Sequence, residues 1–236
     1  MVDTARRRDS EEARKRILSA CVRLFIEKGY ISTTMAEIIR EAQVSNSTFQ
    51  NLFHSKDGVL MDLAEFMFSN QFNVAKQHAT QQLPPVYLYA VETSIQMTLS
   101  ELNENLREIY VEAYTSPKIA EYIIQKTSSE LYQIFGSYLP ECSESDFYEL
   151  DIGTAGIMRN YMAKKCDKYF TLDKKLERFL RMTMGVYAVP EEEQQQVLAY
   201  IMKIDIRQTA NHVMQQLFQA LAMQFHFELG DKELSE

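Results

Sequence analysis

The chain has 236 residues, enough for one large domain or two smaller ones with a well-buried core. It holds no run of about 18 apolar residues, so the reading gives no membrane partner. The formal charge of −8 argues against nucleic acid until it is divided along the chain. Residues 1–56 carry ten Lys/Arg against seven Asp/Glu, whereas residues 57–236 carry 15 against 26. A basic end on an acidic body suits local contact with phosphates.

Seven Gly, five Pro and no Pro before Pro84 point to long, unbroken helices and an all-α fold. The start, MVDTARRRDSEEARKR, is basic but lacks the apolar core of a secretory signal. Cys21, Cys142 and Cys166 are odd in number and far apart, which suggests buried thiols in a reducing cytoplasm. Their spacing suits no zinc site, and no metal or other cofactor is expected.

In chain order, a first helix is expected to open near Asp9 or Ser10, whose side chains can cap free N–H groups. Ala13, Ile17, Ala20, Cys21, Leu24 and Phe25 then share one face, and Gly29 ends the helix as a C-cap. A second helix follows Ser32-Thr33-Thr34, with Met35, Ile38, Ile39 and Ala42 at helical spacing. After a tight turn at Gln43-Val44-Ser45, a short third helix carries Phe49, Leu52 and Phe53 inward. Ser55 can cap a long fourth helix from Lys56 to about Gln77. Three short helices with a tight turn before the third describe a helix-turn-helix unit, whose second element is the one laid in the major groove of DNA. The apolar stripe would then leave Asn46, Ser47, Thr48, Gln50, Asn51 and His54 outside. The same pattern also describes a helical corner with a solvated polar face.

The stretch RKRILSACVRLFIEKGYISTTMAEIIREAQVSNSTFQNLFHSKDGVL resembles the N-terminal domain of TetR-family transcriptional regulators. The resemblance rests on Ile17, Ala20, Leu24, Phe25, Gly29, Tyr30, Thr33-Thr34, Ile38, Ala42, Val44-Ser45, Thr48, Phe53, Lys56 and Leu60. It implies a helix-turn-helix DNA-binding domain over residues 1–56 and a larger helical ligand-binding and dimerisation domain over residues 57–236. It further implies a homodimeric regulator, most often a repressor, on a double-stranded operator with inverted symmetry. An unidentified amphipathic small molecule would release or modulate it. Two residues depart from the family pattern. Gln43 stands in the turn where the family usually has Gly, and a non-Gly residue at positive φ costs roughly 1 kcal/mol. Gln50 stands where the family usually has a phosphate-touching Tyr; Gln cannot stack but can read an adenine edge.

Within such a head, Lys56, Thr33 and Thr34 lie near helix starts, where side chains and free N–H groups meet phosphate. Replacing Lys56 by Ala should then flatten the salt dependence of DNA affinity by about one unit. Base contacts would come from Asn46, Ser47, Gln50 and Asn51, with Ser45, Thr48 and His54 beside them. Arg6, Arg7 and Arg8 form either a DNA-contacting arm or a solvated tail.

Further helices are expected to open at Pro84-Pro85, at Pro117, at Ser143 or Ser145, and at Pro190, with Asp205 capping the last. The last stripe includes Val213, Met214, Leu217, Leu221 and Phe225. Long C-terminal helices make the dimer interface in the resembling family. Residues 206–227, with a helix around 146–166, are therefore the expected interface; the other reading is that the stripe closes the body's own core. Twelve of the thirteen tyrosines lie beyond residue 80. Tyr110, Tyr114, Met158, Arg159, Tyr161 and Met162 suit either an amphipathic pocket in which Arg159 meets a ligand carboxylate, or plain core with Arg159 paired to an internal Asp or Glu. No Gly-rich phosphate loop, HExxH or G-x-S-x-G appears, which argues against an enzyme. The alternative function is a helical protein-interaction module with a degenerate helix-turn-helix that no longer binds DNA.

Overall fold

The computed structural model describes residues 2–78 and 83–226, with side chains described for 7–67 and 83–226. Among the described residues there are eleven helices and no strand. The head holds α1 (Val2–Lys28), α2 (Met35–Glu41) and α3 (Asn46–Phe53), and α4 (Lys56–His78) leads out of it. The body holds α5 (Pro85–Leu102), α6 (Glu104–Ala113), α7 (Pro117–Phe135), α8 (Glu144–Ala163), α9 (Leu172–Val186), α10 (Glu191–Ile201) and α11 (Ile206–Phe225).

Most helix starts follow from capping chemistry. Thr34 and Glu37 form a capping box at α2, Ser45 Oγ accepts the Thr48 N–H at α3, and Asp205 accepts the Gln208 N–H at α11. Prolines open α5 and α7, and Pro190 immediately precedes α10. α1 differs from expectation, because it opens at Val2 and runs through Asp9 and Ser10. Ion pairs one turn apart, Arg7 with Glu11 at 3.7 Å and Arg8 with Glu12 at 3.4 Å, accompany that extra length. Two helices carried no sequence expectation: α6, capped by Asn103, and α9, capped by Thr171.

One continuous core runs from α1 into the body. α5 is its axis, buried along most of its length and packed by α4, α6, α8, α9, α10 and α11. Three interior hydroxyls of α5 donate within their own helix: Thr93 to the Tyr89 carbonyl, Thr98 to the Ser94 carbonyl and Ser100 to the Met97 carbonyl. α11 lies against α5, α1 and α4, and Phe66 meets Phe225 with ring centroids 5.7 Å apart. Val213, Met214, Leu217, Leu221 and Phe225 are thus all buried within a single chain. This corrects their assignment to a dimer interface: the periodicity marked a buried face, and what covers it is α5, α1 and α4. Residue 227 of the expected interface lies outside the described residues.

Candidate nucleic-acid interface and effector cavity

α3 is fixed from its inner side. Phe49 and Phe53 are buried, and Leu52 is half-buried. The Arg14 guanidinium lies 4.9 Å from the centre of the Phe53 ring while pairing with Asp62 of α4. A Cβ at position 58 would overlap the Phe53 carbonyl oxygen, so only Gly58 lets α4 start this close behind α3. The opposite side of α3 faces outward: Asn46, Ser47, Asn51 and His54 are exposed, and Thr48 and Gln50 are half-exposed. At its start, Ser45 Oγ lies 2.9 Å from Ser47 Oγ and 2.8 Å from Thr48 Oγ1.

The turn before α3 takes the strained form that its sequence implied. Gln43 has φ 52, and its carbonyl accepts Arg16 Nη1 at 3.2 Å. Gln43→Gly is expected to stabilise the protein by about 1 kcal/mol, read as a rise in melting temperature, because Gly removes the Cβ clash of a left-handed residue.

Two expected phosphate contacts are corrected. Thr33 is 1% exposed, and its hydroxyl donates to the Gly29 carbonyl at 2.7 Å, so it stabilises the α1–α2 turn instead. Lys56 Nζ donates to the carbonyls of Tyr30 at 2.7 Å and Thr33 at 3.0 Å and lies 4.1 Å from the Tyr30 ring centre. Its ammonium is therefore committed to the same turn. Lys56→Ala should lower stability by about 1–3 kcal/mol in thermal melts, in place of the flattened salt slope expected above. Thr34 remains exposed, but its hydroxyl donates to Glu37 at 2.8 Å. Lys28 and the Thr34 N–H hold that carboxyl down to about 2, so it stays charged. Arg7 and Arg8 are exposed on helical backbone rather than on an extended arm, and the Arg6 side chain lies outside the described residues.

Sequence reasoning missed Arg16. It is exposed on α1 and lines an open groove between α1 and α3 with Ser10, Ala13, Val44, Ser45, Thr48 and Asn51. Its spacing from Ser10 and Ala13, three residues at a time, was the available signal.

The head is tied to the body through α6. Asn105 Nδ2 donates to the Ile26 carbonyl at 2.6 Å, and Glu108 accepts the Ile31 N–H at 3.2 Å. Tyr114, the C-cap of α6, lines a cavity in the body. That cavity has about 580 Å³ of empty space counting its mouth. Its walls are Tyr89, Glu92, Thr93 and Gln96 of α5, Thr127 and Glu130 of α7, Asp151, Thr154 and Met158 of α8, Phe179 of α9, and apolar neighbours. Of the six residues expected to line a pocket, Tyr114 and Met158 do so. Tyr110 and Met162 are buried in the core instead. Arg159 donates outside the cavity to Thr115 Oγ1 at 2.9 Å and Asn160 Oδ1 at 3.0 Å. Tyr161 reaches the Met182 sulfur at 3.3 Å.

Asp151 is the most deeply set charge of the cavity at 5% exposed. It accepts the hydroxyl of Thr127 and that of Thr154, the latter at 2.9 Å. Burial pushes its carboxyl up to about 6 against the lowering effect of those two donors.

Residues 17–63 match the profile of the bacterial regulatory proteins of the tetR family. HTH-type transcriptional regulator HbdR of Aromatoleum sp. (strain CIB) is 46% identical over 50 residues, which are 21% of this chain and 22% of that protein. YuxN of Bacillus subtilis (strain 168), an uncharacterized HTH-type transcriptional regulator, is 29% identical over 98 residues, 42% of this chain and 32% of that one. The chain therefore spans at most about a third of the length of these two curated relatives. A crystal structure of a gamma-butyrolactone receptor (ArpA like protein) aligns at 14% identity and a TM-score of 0.41, over 89% of this chain and 99% of that one. The matched segment is the one that builds most of α1, all of α2 and α3 and the start of α4, and over it the chain is similar to the tetR-family regulatory proteins.

Proposed function

We propose that the protein is a cytoplasmic repressor that binds an inverted-repeat operator as a homodimer and is released by a small amphipathic ligand held in the body cavity. The outward side of α3 carries this reading: Asn46, Ser47, Gln50 and Asn51 project from a helix pinned by Phe49 and Phe53, with Arg16 beside its start. Amides at such positions suit adenine edges, and Arg16 suits a phosphate. Residues 1–56 would form the reading head and residues 57–236 the ligand-binding and dimerising body.

One head covers only a few base pairs, so two heads at about 34 Å or a related spacing are needed. The face of α8 and α9 suits that pairing. Ile152, Met182 and Val186 are exposed there, and a Cβ added at Gly153, Gly156 or Gly185 would meet open space. Tyr161 of α8 donates to the Met182 sulfur of α9 at 3.3 Å, which supports reading the two helices as one surface. On this reading α8 stays in the interface as expected from the sequence, with α9 in place of α11. The double variant Gly156→Glu, Met182→Glu should sediment as a monomer while keeping its helical circular dichroism. A variant that stays dimeric would refute this face.

Ligand would act through α6, whose C-cap Tyr114 touches the cavity while Asn105 and Glu108 hold the end of α1 and the turn after it. Its effect is bounded by its difference in affinity for the two head spacings. A gel shift on random duplex tests the DNA reading cheaply: affinity should fall steeply with salt, and Arg16→Ala should flatten the slope by about one unit.

A further inference from the structure

We propose that the body cavity takes an amphipathic organic cation, a small molecule with an aromatic or aliphatic body and one fixed positive charge. The inference rests on the reading of this cavity as the effector site and names the class of ligand that it takes. The expectation from sequence was the reverse, with Arg159 meeting a ligand carboxylate. That guanidinium bonds Thr115 and Asn160 outside the cavity, and among the described residues the lining contains no Lys, Arg or His.

What the lining does contain is negative. Asp151, Glu92 and Glu130 come from three different helices and converge on one space. Asp151 uses its two oxygens to accept the hydroxyls of Thr127 and Thr154, one each. A carboxylate has about four acceptor sites, so this fixes its orientation and leaves capacity for a ligand. The rings of Tyr89, Tyr114 and Phe179 supply the remaining requirement, because the negative faces of aromatic rings attract a cation that has lost its water. A ligand anion would enter a poorly solvated space among three carboxyl groups. Elsewhere in the body, Glu101 pairs with Lys175 at 2.5 Å and Arg107 at 3.5 Å.

Asp151 also gives the site a pH dependence. Among the described residues, the titratable groups that face it are Glu92 and Tyr89 of α5, Glu130 of α7, Tyr114 after α6 and Tyr187 after α9, all neutral or negative. Protonation of Asp151 near pH 6 removes a charge that the ligand needs. Affinity for a permanently charged cation should therefore rise with pH through that range and fall on acidification.

The test is calorimetric titration of the DNA-free protein with benzyltrimethylammonium and with benzylsulfonate, an anion of similar size. The cation should bind and the anion should not. Asp151→Asn, which keeps the shape of the side chain, should weaken the cation by about tenfold or more. Glu130→Gln, at a half-exposed position, should weaken it in the same direction and guards against a folding defect at Asp151. Equal binding of the anion, no binding of the cation at millimolar concentration, or unchanged affinity in both variants would overturn the proposal. These titrations contain no DNA, so their outcome is separate from the operator reading, which the gel shift tests by itself.

Discussion

Phe49→Ala is expected to destabilise the protein by about 3–5 kcal/mol and to abolish binding to duplex DNA. Phe49 has no exposed surface, and its ring lies 6.0 Å from that of Phe53. α3 has only eight residues, far too few to be helical in water without tertiary support. Its Ser45 cap contributes about 1 kcal/mol, and the rest of its order comes from the two rings and their neighbours. Removing one ring leaves a cavity that a helix held at both ends by turns cannot close. Phe49→Leu separates packing from polarity. It should cost less than Ala and retain DNA binding, because it keeps most of the apolar contact. Thermal melts and a gel shift on the same preparations give both readings.

Lys175→Met is expected to cost about 3–5 kcal/mol at neutral pH. Lys175 is wholly buried; its ammonium donates to Glu101 Oε1 and to the Lys164 carbonyl, both at 2.5 Å. Glu101 also accepts the Cys166 N–H at 3.0 Å, so this cluster joins α5, α6, α9 and the segment after α8. Burial alone would raise the Glu101 carboxyl, but Lys175, the Cys166 N–H and Arg107 together hold it below its usual value. Its folded value lies below the unfolded one. In the wild type its contribution is therefore present above pH about 4.3 and is lost as pH falls through the folded value. In Lys175→Met the balance reverses, because burial now dominates and the folded state holds its proton more tightly. The deficit should be largest at neutral pH and shrink on acidification towards about pH 4, as measured by denaturant titration across pH. Adding Glu101→Gln should recover much of the loss, since the double variant leaves no carboxylate without its lysine.

The same residue explains why α9 escaped the sequence. Its inner face reads Leu172, Lys175, Leu176, Phe179, Leu180, Thr183, and a charged and a polar side chain interrupt the stripe. Only the fold reveals that Lys175 has a buried partner 74 residues away. α5 concealed the cavity in a similar way. Glu92, Thr93 and Gln96 look like a solvated face in sequence, yet the helix is surrounded and the three residues line an internal space. Helix starts at Thr34, Ser45, Pro85 and Asp205 were legible from their cap or proline, whereas the caps Asn103 and Thr171 of α6 and α9 were passed over. Asp9 and Ser10 are also capping types but lie inside α1, because capping chemistry permits a helix start without forcing one. In α11 the stripe gave the buried face correctly but could not say whether a second copy or the same chain covers it. The outward side of α3 was legible because Phe49 and Phe53 fix which way the amides point.

Selection of bound duplexes from a random DNA pool, repeated with Asn51→Ala and Gln50→Ala, tests the outward side of α3 most directly. The account predicts an enriched inverted repeat, with half-sites about one helical turn or a related spacing apart. Each variant should relax preference at its own position within both half-sites. No enrichment, or enrichment that ignores both substitutions, would contradict it.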